Sequence, residues 1–194
     1  MAITIEQIKE LRDQTGVSIM QCKKALEEAG GDQKKAIVIL KKKGSDIASK
    51  KGDRELKAGV ISAYVHGNGT AGAMVELFSE SDFVSNHADF KAMAYDLAMH
   101  VVAFNPEFLK REDITEEATE QAKAVFAKDV EGKPKEMKDK IMQGKLDAYF
   151  GERIFLDQPF VKNPDIKVSE LISGAVQKFG ERIEIGRFVR FSLK

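Results

Sequence analysis

Few residues in this 194-residue sequence have the chemistry that catalysis or metal binding requires. The three histidines, His66, His87 and His100, lack the His-x-x-x-His spacing that places two metal ligands on one face of a helix. The single cysteine, Cys22, falls on the apolar stripe of a predicted helix, whereas reactive thiols are partly exposed beside cationic groups. We therefore expect that the protein is not an enzyme and that it binds no metal and no cofactor of its own.

The glycine-rich stretch HGNGTAG, residues 66–72, also invites a chemical interpretation, because glycine-rich loops can cradle phosphate groups. It lacks the Gly-Lys-Ser/Thr ending of a phosphate-binding loop, and it lies between two segments of alternating hydrophobicity. Gly67-Asn68-Gly69 can supply the positive φ angles that a β-hairpin turn needs. The stretch is therefore predicted to be a turn and not a nucleotide site.

Charge and hydropathy limit the expected partners. Lys plus Arg and Asp plus Glu each number 31, so no overall positive charge attracts nucleic acid or an anionic membrane. A basic cluster at residues 41–43 and 50–51 has no interleaved aromatic side chains for base stacking, and it would suit an acidic protein equally well. The sequence has no run of about 18 apolar residues, and one cysteine excludes an internal disulfide. We expect a cytoplasmic protein without direct nucleic-acid or membrane binding.

Residues 1–44 carry the signals of three short helices. The start and stop signals are Thr4 with Gln7, Ser18 with Gln21, Asp32, and finally Gly44. The helical periodicity predicts a small core made of Ile5, Ile8, Leu11, Ile19, Cys22, Ala25, Leu26, Ala29, Ala36, Ile37, Leu40 and, in part, Val38. Residues 45–58 are charged and poor in large apolar side chains, so they are predicted to form a linker that is helical in part.

Residues 59–194 are predicted to form an α+β core. Two alternating segments flank the hairpin turn, and ERIEIGRFVRFSL near the end of the chain supplies a third strand of an antiparallel sheet. A helix between them is predicted to end at Asn105-Pro106 and to bury one face, which consists of Phe90, Met93, Ala94, Leu97, Val101 and Phe104. A last helix is predicted to end at Gly180.

Residues 115–150 are predicted to form two charged helices in an antiparallel hairpin. Thr115 can cap the first helix, and Pro134 suits the first turn of the second. Each helix has a narrow apolar stripe: Ala118, Ala122 and Val125 on the first, and Met137, Ile141 and Ala148 on the second. Stripes this narrow predict an arm that projects from the core.

Two exposed apolar residues are candidates for partner binding. The helical wheel places Met20 opposite the buried stripe of its helix, and Arg12 flanks the apolar edge of the preceding helix. In the segment SESDFVSN, either Phe83 or Val84 can tuck under a short helical turn while the other faces outward. From these patterns alone, an isolated exposed side chain without a function is as good an explanation as a binding site.

Three segments together resemble the elongation factor Ts family, and the resemblance covers nearly the whole chain. They are LRDQTGVSIMQCKKALEEAGGD, ELFSESDFV and QPFV. The resemblance implies that residues 1–44 are similar to a ubiquitin-associated three-helix domain and that residues 115–150 are similar to the family's coiled-coil hairpin. The chain has the length of the short members, which have one core subdomain where longer members have two. A homodimer is the expected source of the second.

The resemblance implies guanine-nucleotide exchange on elongation factor Tu, which itself binds GDP, GTP and magnesium. The family's Thr-Asp-Phe-Val motif, which disturbs the partner's magnesium site, corresponds here to Ser81, Asp82, Phe83 and Val84, with serine in place of threonine. The family's amino-terminal contacts correspond to Arg12, Ile19 and Met20, with isoleucine in place of the usual methionine. The alternative is an interaction adaptor that uses the three-helix module alone.

Overall fold

The computed structural model describes residues 3–132 and 134–193, so residues 1–2, 133 and 194 of the predicted domain ranges lie outside it. The helices are α1 (Ile5–Thr15), α2 (Ile19–Glu28), α3 (Gln33–Lys50), α4 (Asp82–Ser85), α5 (Ala88–Phe104), α6 (Glu116–Phe126), α7 (Lys135–Gly151) and α8 (Val168–Phe179). The strands are β1 (Ala58–Val65), β2 (Ala71–Ser79), β3 (Pro159–Phe160), β4 (Asn163–Lys167) and β5 (Ile183–Ser192). The mixture of helices with a small antiparallel sheet agrees with the predicted α+β class.

Helices α1 to α3 pack around a small core of their own. Its fully buried members are Leu11, Val17, Cys22, Ala25, Leu26, Ala36 and Leu40. The predicted caps form at Thr4 and Asp32, while Ser18 accepts the Gln21 N–H but the Gln21 side chain turns to Gln177 instead of closing the box. The prediction that Ile5 is buried is wrong: it is exposed because Ile3, just before the helix, packs against the core instead. The predicted partial burial of Val38 is also wrong, because its neighbours Ile37 and Ile39 take the inner positions.

The third helix does not end at Gly44, which corrects the predicted boundary. Helix α3 continues to Lys50, so the first residues of the predicted linker are helical. Gly44 is buried against α8, where a Cβ atom would lie 3.1 Å from the Ser173 carbonyl oxygen. Glycine at this position therefore permits close helix packing and does not act as a stop signal.

The predicted three-stranded antiparallel sheet forms, and its order is β1-β2-β5. Its inner face includes a row across the three strands formed by Val60, Leu77 and Ile185, which helix α5 covers together with α8. Helix α5 ends at Asn105, which adopts a left-handed φ of 47°. Phe104 was predicted to be buried in the core, but it lies in the last turn of α5, where it is half-exposed and stacks on His100. The short β3–β4 ribbon was not predicted.

The two predicted helices, α6 and α7, form and pack against each other, but with a different seam from the predicted one. Thr115 caps α6 as expected, and the buried residues of the seam are Ala122, Leu146, Phe150 and Ile154. Val125, Met137 and Ala148 are exposed and Ile141 is only half-buried. The larger Leu146 and Phe150, four residues apart on α7, take the inner face and rotate the predicted stripe outward. Within the described ranges, no helix is long and apolar enough to cross a membrane.

Candidate functional site

Phe83 is presented to solvent by the single helical turn α4. Its side chain is 81% exposed, whereas the neighbouring Val84 is 2% exposed and belongs to the main core. The choice that the sequence left open is therefore settled: Val84 anchors the turn and Phe83 faces outward. Exposing a whole aromatic ring leaves apolar surface in water, so this arrangement needs a reason other than stability.

Ser81 begins the turn as its N-cap. Its hydroxyl oxygen accepts the Val84 N–H at 3.4 Å, and the backbone bonds of the turn run from the Ser85 N–H to Ser81 O at 3.2 Å and from the Asn86 N–H to Asp82 O at 2.9 Å. Asp82 is exposed, and its carboxylate makes no ion pair or hydrogen bond with the other described residues. Asp82 and Phe83 are both free to meet a partner.

Two glutamates connect the start of the turn to other segments of the chain. Glu181, in the turn between α8 and β5, accepts the Ser81 hydroxyl at 2.6 Å and the Ser81 N–H at 3.0 Å. Glu80 accepts the Arg182 N–H at 2.5 Å and pairs with Arg54 Nη1 at 3.0 Å. Partial burial of Glu80 opposes ionisation, but these hydrogen bonds outweigh it and lower the pKa of the carboxyl. No sequence pattern indicated Glu181, because it lies 100 residues from Ser81.

The second predicted surface lies on the amino-terminal module. Met20 is 70% exposed, as the helical wheel predicted, and Arg12 is also exposed. Ile19, which the wheel placed inward, is 56% exposed, because it opens α2 and Val17 just before the helix takes the core position. All three residues are available for contact.

A third exposed apolar surface is the outer face of the sheet. Its large side chains are Ile61, Val65, Met74, Val189 and Phe191. Phe78 lies flat among them: a Cβ atom on Gly59 or Gly186 would lie within 2.9 Å or 2.3 Å of its ring. The carboxylates on this face are paired: Glu76 with Arg187 at 2.5 Å and Glu184 with Arg182 at 2.7 Å. The hydrogen bonds from Arg187 lower the pKa of Glu76.

Two of the residues considered for chemistry, Cys22 and His100, have packing roles. Cys22 is fully buried, and burial raises the pKa of its thiol. His100 is also buried: its Nδ1 accepts the Val161 N–H at 3.1 Å, which leaves Nε2–H to donate to Gln158 Oε1 at 2.8 Å. Burial lowers the pKa of His100, so the ring is neutral near pH 7. The described part of the chain contains no cluster of three or more His, Cys, Asp or Glu that could hold a metal ion.

Comparisons with known proteins agree with the sequence motifs. A family model described as "Elongation factor TS" matches residues 23–194. Similar proteins named Elongation factor Ts include one from Thermodesulfovibrio yellowstonii, 47% identical over 100% of this chain and 97% of the relative, and one from Carboxydothermus hydrogenoformans, 46% identical over 98% and 89%. A third, from Thermotoga maritima, is 42% identical over 100% and 97%.

Proposed function

Because the chain belongs to the elongation factor Ts family of translation elongation factors, which exchange nucleotide on elongation factor Tu, we propose that Phe83 is the residue with which it releases GDP from that partner. The observation that supports this most directly is an aromatic side chain 81% exposed on a turn that the core holds in place. GDP, GTP and magnesium are ligands of the partner, and this chain performs no bond chemistry.

Phe83 acts as a wedge in this proposal: its ring inserts into the partner and gains free energy because it is buried there and exposed in the free protein. A ring that moves from water into a fitted pocket at an interface hot spot contributes about 2–4 kcal/mol of binding free energy. That free energy is available only in a partner conformation that has opened around the ring. We propose that this conformation has weakened contacts to magnesium and phosphate, and that Asp82 enters beside Phe83.

Thermodynamic linkage then makes the action catalytic. If the bound factor weakens the binding of GDP to the partner by a given free energy, bound GDP weakens the binding of the factor by the same amount. Neither ligand holds the partner permanently, and exchange passes through a short-lived ternary complex. The factor is therefore released and can act again.

The amino-terminal module has a separate role in this proposal. Helices α1 to α3 correspond to the ubiquitin-associated type of module, and Arg12, Ile19 and Met20 dock it on the partner, while α6 and α7 form the family's coiled-coil arm. Since translation takes place in the cytoplasm, that is the proposed location. The adaptor alternative is supported by the exposure of Ile19 and Met20, but it leaves Phe83 without a role.

Stopped-flow release of a fluorescent GDP from elongation factor Tu, at fixed magnesium, tests the wedge. The protein should accelerate release to a saturating rate, and Phe83→Ala should lower that maximum about 100-fold, as expected for losing a hot-spot side chain. Val125→Ala, which truncates another exposed apolar residue on α6, is the matched control. An unchanged maximum in Phe83→Ala would refute the wedge.

We also propose that the outer sheet face binds a second copy of this chain. A symmetric dimer places the same patch on both partners, which suits a face that is apolar and whose carboxylates are already paired. Sedimentation equilibrium should show a dimer that Phe191→Asp converts to a monomer, while Val125→Asp on α6 leaves it intact. A monomer of the unmodified protein at every concentration would rule the dimer out.

A further inference from the structure

The turn Gly180-Glu181-Arg182, which joins α8 to β5, meets two other segments beside Phe83. On one side, Glu181 holds Ser81 through both carboxylate oxygens, and the Arg182 N–H is held by Glu80. The segments 80–81 and 181–182 are thus joined reciprocally, because each supplies one glutamate that accepts hydrogen bonds from the other. This arrangement fixes where the turn α4 begins.

The segment that follows α3 reaches the same turn. Lys51 Nζ donates to the Gly180 carbonyl, Arg182 Nη1 donates to the Arg54 carbonyl, and Arg54 Nη1 pairs with Glu80. The end of the amino-terminal module and the base of α4 are therefore attached to one three-residue turn.

We propose that Glu181 is the positioning residue that preorganises Phe83 for exchange. Helix α4 has four residues, and a helical segment that short does not hold its own conformation in water. Its orientation depends on Val84 in the core and on Ser81 at the cap, and Glu181 is the group that accepts both hydrogen-bond donors of Ser81, the backbone N–H and the hydroxyl. Without Glu181, Phe83 must be ordered during insertion, which slows the step without removing the ring.

The role rests on the proposed exchange function, and a titration of GDP release tests it. Glu181→Ala is expected to lower the maximum rate about 3- to 10-fold, in line with the cost of ordering one side chain and its turn on binding, with the half-saturating concentration changed less than about twofold. Glu181→Gln, which keeps an acceptor oxygen for Ser81, should restore part of the loss. Glu107→Ala removes a surface ion pair with Arg153 and serves as the matched control.

A double variant separates positioning from general damage. In a Phe83→Ala background, Glu181→Ala should cause no further slowing, because there is no ring left to position. Slowing by the same factor in both backgrounds would overturn the proposal, since the glutamate would then act independently of Phe83.

Amide hydrogen exchange tests the same idea without the partner. The Ser85 and Asn86 amides, which close the turn, should exchange faster in Glu181→Ala than in the unmodified protein, while amides in the middle of α5 stay protected. Unchanged protection at Ser85 and Asn86 would overturn the positioning role. Failure of the unmodified protein to accelerate GDP release would overturn the proposed function, whereas acceleration that Glu181→Ala leaves intact would overturn the positioning role alone.

Discussion

Met20 and Phe83 are both exposed apolar side chains, but the molecule supports them differently. Met20 lies on a helix whose opposite face packs Cys22 and Leu26 a few residues away. Phe83 lies on a four-residue turn whose cap is held by Glu181, from the far end of the chain. Local periodicity is enough to present Met20, whereas Phe83 needs tertiary contacts, so we expect the two surfaces to fail under different substitutions.

The strongest test of this difference is Leu26→Ala in the core of the module. Removing a fully buried leucine should lower the free energy of unfolding of α1 to α3 by about 2–5 kcal/mol. Docking should weaken, so the half-saturating concentration for GDP release should rise, while the maximum rate survives because the support of Phe83 lies in the other core. Leu146→Ala, in the α6–α7 seam, should leave both exchange parameters unchanged. A maximum rate as low as that of Phe83→Ala would contradict separate roles.

Met20→Ala tests the docking surface without unfolding it. Truncating an exposed side chain should leave thermal stability unchanged but raise the half-saturating concentration about tenfold, corresponding to about 1.4 kcal/mol of binding free energy. Val38→Ala, also exposed and in the same module, is the control for nonspecific effects. If Met20→Ala lowers the maximum rate instead, the module takes part in the exchange step itself.

The pH dependence of the free energy of unfolding should report on the core that supports Phe83, because His100 is buried there. His100, in the core that supports Phe83, has a folded-state pKa lowered by burial, so its contribution is complete above the unfolded value near 6.5 and is lost as the pH falls below it. Below pH 6.5 the contribution of His100 should fall with decreasing pH, and its slope cannot exceed about 1.4 kcal/mol per pH unit, the limit for one proton. The variant His100→Gln should show a shallower slope by chemical denaturation, and an equal slope would contradict this assignment.

The comparison also explains how much of the molecule could be predicted. The caps at Thr4, Asp32 and Thr115 and the exposure of Met20 follow from local chemistry, and the structure has them as predicted. The contact of Glu181 with Ser81 joins residues 100 positions apart, and nothing in either local sequence indicates it. The motif was therefore enough to find the candidate site, but the contacts that hold Phe83 in position could not be predicted from the sequence.

Errors arose where packing between elements overrode a local rule. Ile19 has the right spacing for burial, but it stands in the first turn of α2, where Val17 already fills the core position. Gly44 has the residue type of a helix stop, yet the approach of α8 keeps it inside α3. The stripe predicted for α7 was displaced by Leu146 and Phe150, whose size decides which face turns inward.

A matched pair of glycines tests the explanation given for Gly44, and its expected effect is the smallest. Gly44 and Gly144 both lie inside helices, but a Cβ at Gly44 would lie 3.1 Å from the Ser173 carbonyl oxygen, whereas a Cβ at Gly144 would have no neighbour within 4 Å. Gly144→Ala should raise the free energy of unfolding by up to about 1 kcal/mol through helix propensity. Gly44→Ala should lose that gain, because the carbonyl belongs to the backbone of α8 and cannot rotate away. Both changes in the free energy of unfolding can be measured by chemical denaturation. Equal stabilisation by the two substitutions would mean that α3 can move away from α8 at little cost. The amino-terminal module would then be held less tightly than the contacts at the 180–182 turn indicate.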